Sequence, residues 1–257
     1  MEPYGVRPPG FKQRVMPDIA IVAALEREIW PLVKNWRVTD REYEGRRFRF
    51  FDKEPWMAVC GGIGPEAARR ATEAVIALYQ PRVVQSVGFA GSLESQLHVG
   101  EVLDMRYVID VADGSKVDTG RGSGVLVSFA SVAGSEQKSR LAKAYRANAV
   151  DMEAAAVAKG AEAHGLPFAA IKVISDEIGF PMPPLDRFTT KDGGFRAGRF
   201  VMFAMVRPWL WADVIRLARN SAKASLALCE RLARDRNSML NGAVVHESTT
   251  VGGDRAH

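Results

Sequence analysis

The stretch Asn148-Ala149-Val150-Asp151-Met152-Glu153-Ala154-Ala155-Ala156-Val157-Ala158 decides how the rest of the chain is read. It has the pattern of a short strand turning into a helix of very small residues. Alanines let such a helix lie close against a sheet, which fixes the turn and its two carboxylates. A glutamate in the first turn of a helix faces the positive end of the helix dipole. Held there, Glu153 could accept hydrogen bonds from two vicinal hydroxyls, such as those of ribose. It could equally serve only to stabilise its own helix.

Working outward, strands and helices alternate. Asp18 to Leu25 is a continuous apolar run suited to a buried central strand, and Glu26 to Leu32 opens a helix that tolerates Pro31 near its first turn. Arg46 to Phe51 alternates as a half-buried strand. Pro55 to Cys60 is another strand and runs into Gly61-Gly62-Ile63-Gly64-Pro65, a start signal for a helix over Glu66 to Tyr79. Val83 to Gly88 is a buried strand before the loop Phe89 to Leu93. Val102 to Val108 and Val125 to Ser128 are strands around a Gly/Ser/Asp-rich loop, and Glu136 to Arg146 is helical. Phe168 to Ile174 is a buried strand ending at Ser175-Asp176. Pro181 to Gly194 reads as a loop. From Trp209 to Arg236 the helical periodicity puts Val214, Leu217, Ala218, Ser221, Leu228 and Leu232 on one face.

This alternation predicts an α/β fold: a single-domain, three-layer αβα arrangement with a central mixed β-sheet. Residues 1–17 form an N-terminal extension, 18–235 the catalytic domain with its amphipathic C-terminal helix, and 236–257 a disordered tail.

A chain of 257 residues with 47% hydrophobic and 25% charged residues is ordinary for one large globular domain. The net charge of +5 suits a phosphate-bearing ligand or an anionic membrane surface, and is also common without either. No arginine–aromatic interleaving points to nucleic acid. Cys60 and Cys229 make no CxxC pair, so no metal site and a cytoplasmic location are expected. No export signal and no membrane span is expected either.

Ligands of open α/β sheets sit at the carboxyl ends of strands. Four features fall there: Glu28, the loop Gly88-Phe89-Ala90-Gly91, Glu153 and Asp176. Asp176 ends an apolar strand, where desolvation would suit it to donate a proton; a turn or helix-capping aspartate is the plainer reading. Glu28 could hold a water or merely sit in a helix's first turn. The Gly61–Pro65 segment is either an anion cradle at a helix N-terminus or a tight turn, and it matches neither a Walker loop nor GxGxxG. His98 and His164 read as structural or surface residues.

The sequence resembles the nucleoside phosphorylase superfamily, and within it the methylthioadenosine/S-adenosylhomocysteine nucleosidases. Five segments carry the resemblance in order: Ala23-Ala24-Leu25-Glu26-Arg27-Glu28-Ile29, Gly62-Ile63-Gly64, Val87-Gly88-Phe89-Ala90-Gly91, Asp151 to Ala158, and Ile174-Ser175-Asp176. The resemblance implies a purine nucleoside substrate and no cofactor. Glu153 would bind the ribose hydroxyls with Met152 against the sugar. Asp176, beside Ser175, would protonate the purine at N7, and Glu28 would orient the attacking water. The transition state would be oxocarbenium-like. Gly64, Phe89, Ala90 and Gly91 would contact substrate. Phe129, or else Phe180, is placed near the base from loop position alone. Family members are usually dimers or larger, which implies a homo-oligomer.

Two departures matter. Ser86 and Phe89 stand where phosphorylases of the superfamily carry a phosphate-holding arginine and serine. With Glu28 present this favours hydrolysis, although phosphate stays open as a co-substrate, with Arg69 or Arg70 to reach it. The second departure spans Val125 to Asn148, which lacks the Ser-Gly-Asp base loop of the nucleosidases. Its Leu-Val-Ser-x-x-x-Val-Ala pattern, followed by Lys138, looks more like the bacterial hopanoid-associated phosphorylases, as does Arg207-Pro208 with Ile215 to Arg219. That resemblance implies adenosylhopane as substrate. The apolar stripe Phe200, Met202, Phe203, Met205, Val206, Trp209, Leu210 and Trp211 beside a basic helix suits either a peripheral membrane contact or packing against protein.

Overall fold

The computed structural model describes residues 17–182 and 207–250, together with 188, 190, 193, 194, 196, 199 and 202. The side chains of Pro208 and of residues 241–250 lie outside that description. So do Phe200, Phe203, Met205 and Val206 of the apolar stripe, and the chain ends 1–16 and 251–257.

The first strand, β1 (Ile19–Ala23), is buried along its whole length. Successive side chains of a strand point to opposite faces. Ile19, Ile21 and Ala23 therefore pack on one side with α1 (Glu26–Val33) and the C-terminal helix α5 (Trp211–Thr250). Ala20 and Val22 pack on the other with α2 (Pro65–Tyr79) and α4 (Ala154–Ala163). Two helical layers thus cover the sheet, which explains why this strand reads as an unbroken apolar run.

The remaining strands are β2 (Arg37–Tyr43), β3 (Arg46–Lys53), β4 (Trp56–Cys60), β5 (Val83–Ser92), β6 (Val102–Asp110), β7 (Lys116–Asp118), β8 (Gly124–Ser128), β9 (Ala149–Asp151) and β10 (Phe168–Asp176), with α3 (Ser135–Tyr145) before β9. The sheet is mixed. Strand β1 pairs parallel with β4 and β5, β10 parallel with β5 and antiparallel with β6, and β9 antiparallel with β5 and parallel with β8. The long β5 makes this possible. Its residues Val83–Ser86 face β1, and Gly91 and Ser92 face β9 on the same edge, while β10 runs along the other. Strands β5, β10, β6, β8 and β9 thereby close on themselves, and β1, β4, β3 and β2 extend the sheet outward. The three-layer expectation holds, with a closed ring at one end.

Three local expectations change. The segment Phe89–Ser92 continues β5 because β10 and β9 supply ladder partners for it. The C-terminal helix runs to Thr250, past the boundary expected at 235; no proline interrupts residues 237–250, and helix propagation adds a backbone bond for each residue fixed. Ala218 is exposed, although Leu228 and Leu232 of the same proposed face are fully buried and Leu217 is half-buried. Among the described residues no helix is long and apolar enough to cross a membrane.

Candidate active site

The carboxyl ends of β1, β5, β9 and β10 open on one cleft, lined by Glu28, Phe89, Ala90, Gly91, Met152, Glu153, Ser175 and Asp176, with Ala24, Leu25, Arg27, Ile63, Lys138, Val150 and Asp151. Ser131, Val132 and Ala133 close it from the segment before α3, and Met182, Leu217 and Ser221 from the opposite wall. The three predicted carboxylates share this cleft although 148 positions separate Glu28 from Asp176.

Glu28 sits in the first turn of α1, its N–H donating to Leu25 O at 3.0 Å, and its side chain is buried. Its Oε2 has no hydrogen-bond partner among the described residues. A Cβ on Gly88 would stand 2.6 Å from that oxygen, so only glycine lets the carboxyl lie against β5. Burial pushes the carboxyl up to about 7, against the pull of the Lys172 and Arg27 cations. A group poised between its charged and neutral forms near neutral pH, with a free acceptor oxygen in a cleft, is suited to take a proton from water.

Glu153 stands immediately before α4 and does not cap it. Its Oε1 accepts from the N–H of Gly64 at 2.7 Å, and its Oε2 from the N–H of Met152 at 3.3 Å. The capping role belongs to Asp151, whose Oδ2 accepts from the N–H of Ala154 at 2.9 Å. Asp151 is also held by Ser128 Oγ at 2.6 Å and by Lys172 Nζ at 2.9 Å, and Lys172 reaches Ser86 Oγ at 3.0 Å. With its helix capped by a neighbour, Glu153 is left facing the cleft. Desolvation and the nearby Asp151 raise its carboxyl above the ordinary range. A carboxyl raised in this way gains from hydroxyl donors that stabilise its charged form.

Asp176 neither caps a helix nor closes a turn. Its Oδ2 binds the ammonium of Lys138, which is 1% exposed, and its Oδ1 accepts from Ser175 Oγ at 2.7 Å. Lys138 Nζ also donates to the carbonyl of Glu177 at 2.8 Å and to that of Asp176 at 3.4 Å. The pair crosses the floor of the cleft over Gly91, where a Cβ would come within 2.9 Å of both Asp176 Oδ2 and Lys138 Cε.

Several expectations are placed elsewhere. Phe129 is not among the residues lining the cleft; it packs against the cluster of Leu93, Val127 and Leu141, and its N–H donates to Asp151 O at 2.8 Å. Phe180 is buried under Arg216, away from the cleft. Gly64 contributes an amide to Glu153 and is not part of the lining. Arg69 pairs with Glu66, and Arg70 reaches the carbonyl of Glu44, both on the exposed side of α2. His98 and His164 meet Glu177 and Glu73 at the surface.

The residues missed were Lys138 and Lys172. Lys172 carried a signal, since a lone lysine inside a strand of otherwise apolar residues must find a buried carboxylate. Lys138 stands in the sequence only as part of a resemblance; α3 buries it and Leu141 among polar residues, and that pattern does not point to Asp176. Among the described residues no group of three or more His, Cys, Asp or Glu side chains is placed to hold a metal ion.

The chain is 27% identical over 197 residues to the 5'-methylthioadenosine/S-adenosylhomocysteine nucleosidase of Staphylococcus aureus, a match covering 62% of this chain and 86% of that one. The fold is that of a Neisseria meningitidis 5'-methylthioadenosine/S-adenosylhomocysteine nucleosidase solved with methylthio-immucillin-A (TM-score 0.61, 20% identity, 84% of this chain and 96% of that one). It is also that of Helicobacter pylori futalosine hydrolase (TM-score 0.60, 18% identity, 85% and 98%). The family model of the Phosphorylase superfamily matches residues 18–130 and 117–192, which hold Glu28, Glu153 and Asp176 and all of the cleft lining except Leu217 and Ser221, and the chain belongs to the phosphorylase superfamily.

Proposed function

We propose that the protein is a purine nucleosidase that hydrolyses the N-glycosidic bond of an adenosine-type nucleoside. The observation that carries this reading is the meeting of Glu28, Glu153 and Asp176 in one cleft, from three places distant in sequence. Glu153 holds the ribose hydroxyls beside Met152, Asp176 delivers a proton to the purine N7, and Glu28 takes a proton from the attacking water. Withdrawing charge from the sugar at one side and supplying it at the other stabilises an oxocarbenium-like transition state.

Water is the proposed nucleophile rather than phosphate. Glu28, Asp151, Glu153 and Asp176 all line the cleft, against Arg27 and Lys138. Lys138 is spent on Asp176, and the Gly64 amide at the start of α2, which would suit an anion, is spent on Glu153. A phosphate dianion would find both of these donors already committed to carboxylates.

The 5′ substituent is proposed to be apolar and large, as in adenosylhopane. Met182 with Leu217 and Ser221 of α5 forms one wall of the cleft, and Trp209 just before that helix and Trp211 at its start leave 72% and 50% of their surface exposed. A hydrocarbon group leaving the cleft would follow that side. The test is release of adenine from adenosylhopane, methylthioadenosine and S-adenosylhomocysteine, each with and without phosphate. Adenine from adenosylhopane alone, independent of phosphate, is the expected result. Preference for the two small nucleosides would return the protein to the substrate class named for its relatives. Adenine from none of the three would overturn the enzymatic reading.

A further inference from the structure

We propose that Lys138 and Asp176 act as one acid, with the lysine ammonium replacing the proton that Asp176 gives to the leaving base. The inference rests on the nucleosidase reading and adds to it the source of the proton. As the C1′–N9 bond breaks, its electron pair passes into the purine ring and N7 takes a proton from Asp176. A proton crosses from Lys138 Nζ to Asp176 Oδ2, leaving a neutral amine. The attacking water gives its proton to Glu28, and solvent carries that proton back to Lys138 after product release. Lys138 is therefore a positioning and proton-supplying residue that acts through Asp176.

The geometry supports this division. Both oxygens of Asp176 are already acceptors, Oδ2 from Lys138 and Oδ1 from Ser175 at 2.7 Å, so the carboxyl sits as an acceptor and not as a ready donor. Among the described residues, the buried ionisable group that donates to Asp176 is the 1%-exposed ammonium of Lys138. Two backbone carbonyls aim the other two N–H bonds away from the carboxylate. The surroundings leave the pair isolated. On α3 itself, Glu136 and Arg140 pair with each other at the surface. After β10, the Glu177 side chain pairs with His98. From β5, Gly91 lies against the pair, and Phe89 and Ala90 beside it bring no ionisable group. Across the cleft stand Glu28, Glu153 and Arg27, while Asp151 is held by Lys172.

Two variants separate proton supply from a plain salt bridge, assayed as kcat and KM from pH 5 to 9 on whichever adenosine-type nucleoside the wild type cleaves, with thermal melting to confirm folding. Arginine keeps the cation but gives up no proton. Lys138→Arg should therefore lose at least 100-fold in kcat at every pH, with KM within threefold. Lys138→Met removes both the cation and its protons, so Asp176 can deliver only a proton drawn from solvent, and solvent protons become more abundant in acid. This variant should fall at least 30-fold at pH 8 and recover to within tenfold of wild type near pH 5.5. An active Lys138→Arg, or a Lys138→Met variant that is equally impaired at both pH values or unimpaired, overturns the inference and leaves the nucleosidase reading standing. A wild type that cleaves no adenosine-type nucleoside overturns both.

Discussion

The N–H of Gly64 donates to Oε1 of Glu153 across 2.7 Å, tying the start of α2 to the start of α4. The amide that a phosphate would use is thus occupied by the protein's own carboxylate. Glu153 is aimed by a neighbouring backbone and not by its own helix, which leaves its function to the cleft.

Glu153→Gln should lower kcat/KM for a ribonucleoside by at least tenfold, since a hydrogen bond to a charged group is worth about 1.5–3 kcal/mol. The same change should matter less for the 2′-deoxynucleoside, which has already lost one of the two hydroxyls. Steady-state kinetics on the two sugars measures the difference; an equal loss on both would take Glu153 off the ribose.

Glu28 sets the acid side of the pH profile. It must be ionised to accept a proton, and burial places it at about 7, so kcat/KM should rise with pH up to about 7. Glu28→Gln should abolish that limb and cut kcat by roughly 100-fold or more. The same group affects stability with the opposite sign. Its folded value lies above the 4.5 of an ordinary glutamate, so its contribution is fully present below pH 4.5 and is lost as pH rises through about 7. Denaturant titration should find Glu28→Gln more stable than wild type at pH 8, by up to about 3 kcal/mol, and no more stable at pH 4.

Gly88→Ala places a methyl group 2.6 Å from Glu28 Oε2. The carboxyl must move, so kcat should drop by about 100-fold, because misplacing a reacting group by about 1 Å costs that much. Circular dichroism should show the fold retained. Wild-type turnover in this variant would show that the Glu28 position is not used.

Lys172→Met strands Asp151 without its buried partner. Breaking such a pair costs about 3–5 kcal/mol, and at 2–4 °C per kcal/mol for a domain of this size the melting temperature should fall by roughly 10 °C. Restoring neutrality with Asp151→Asn in the same chain should recover part of the loss, which a double-mutant cycle would quantify.

What was legible in the sequence was local. The apolar run of β1 announces burial on both faces, Pro65 marks the start of α2, and Glu28, Glu153 and Asp176 can be placed because each ends a strand or follows one within a few residues. Non-local pairing was not legible. Nothing within Phe89–Ser92 says that β9 and β10 will pair with it and close the ring. Strand β2 has no buried residue to announce it; its pairing with β3 holds it extended, with Tyr43 packed against the core. Lys138 is part of a resemblance in the sequence, but its role does not show there, since only the fold brings Asp176 under its ammonium. Phe129 was assigned to the base from its loop, but its side chain belongs to the cluster under α3.

The most direct measurement is the identity of the sugar released from an adenosine-type nucleoside by wild-type protein in the presence of phosphate. Hydrolysis at the carboxylate cleft predicts free adenine and a free sugar in equal amounts, at a rate that phosphate does not change. A sugar 1-phosphate, or no adenine at all, would contradict it.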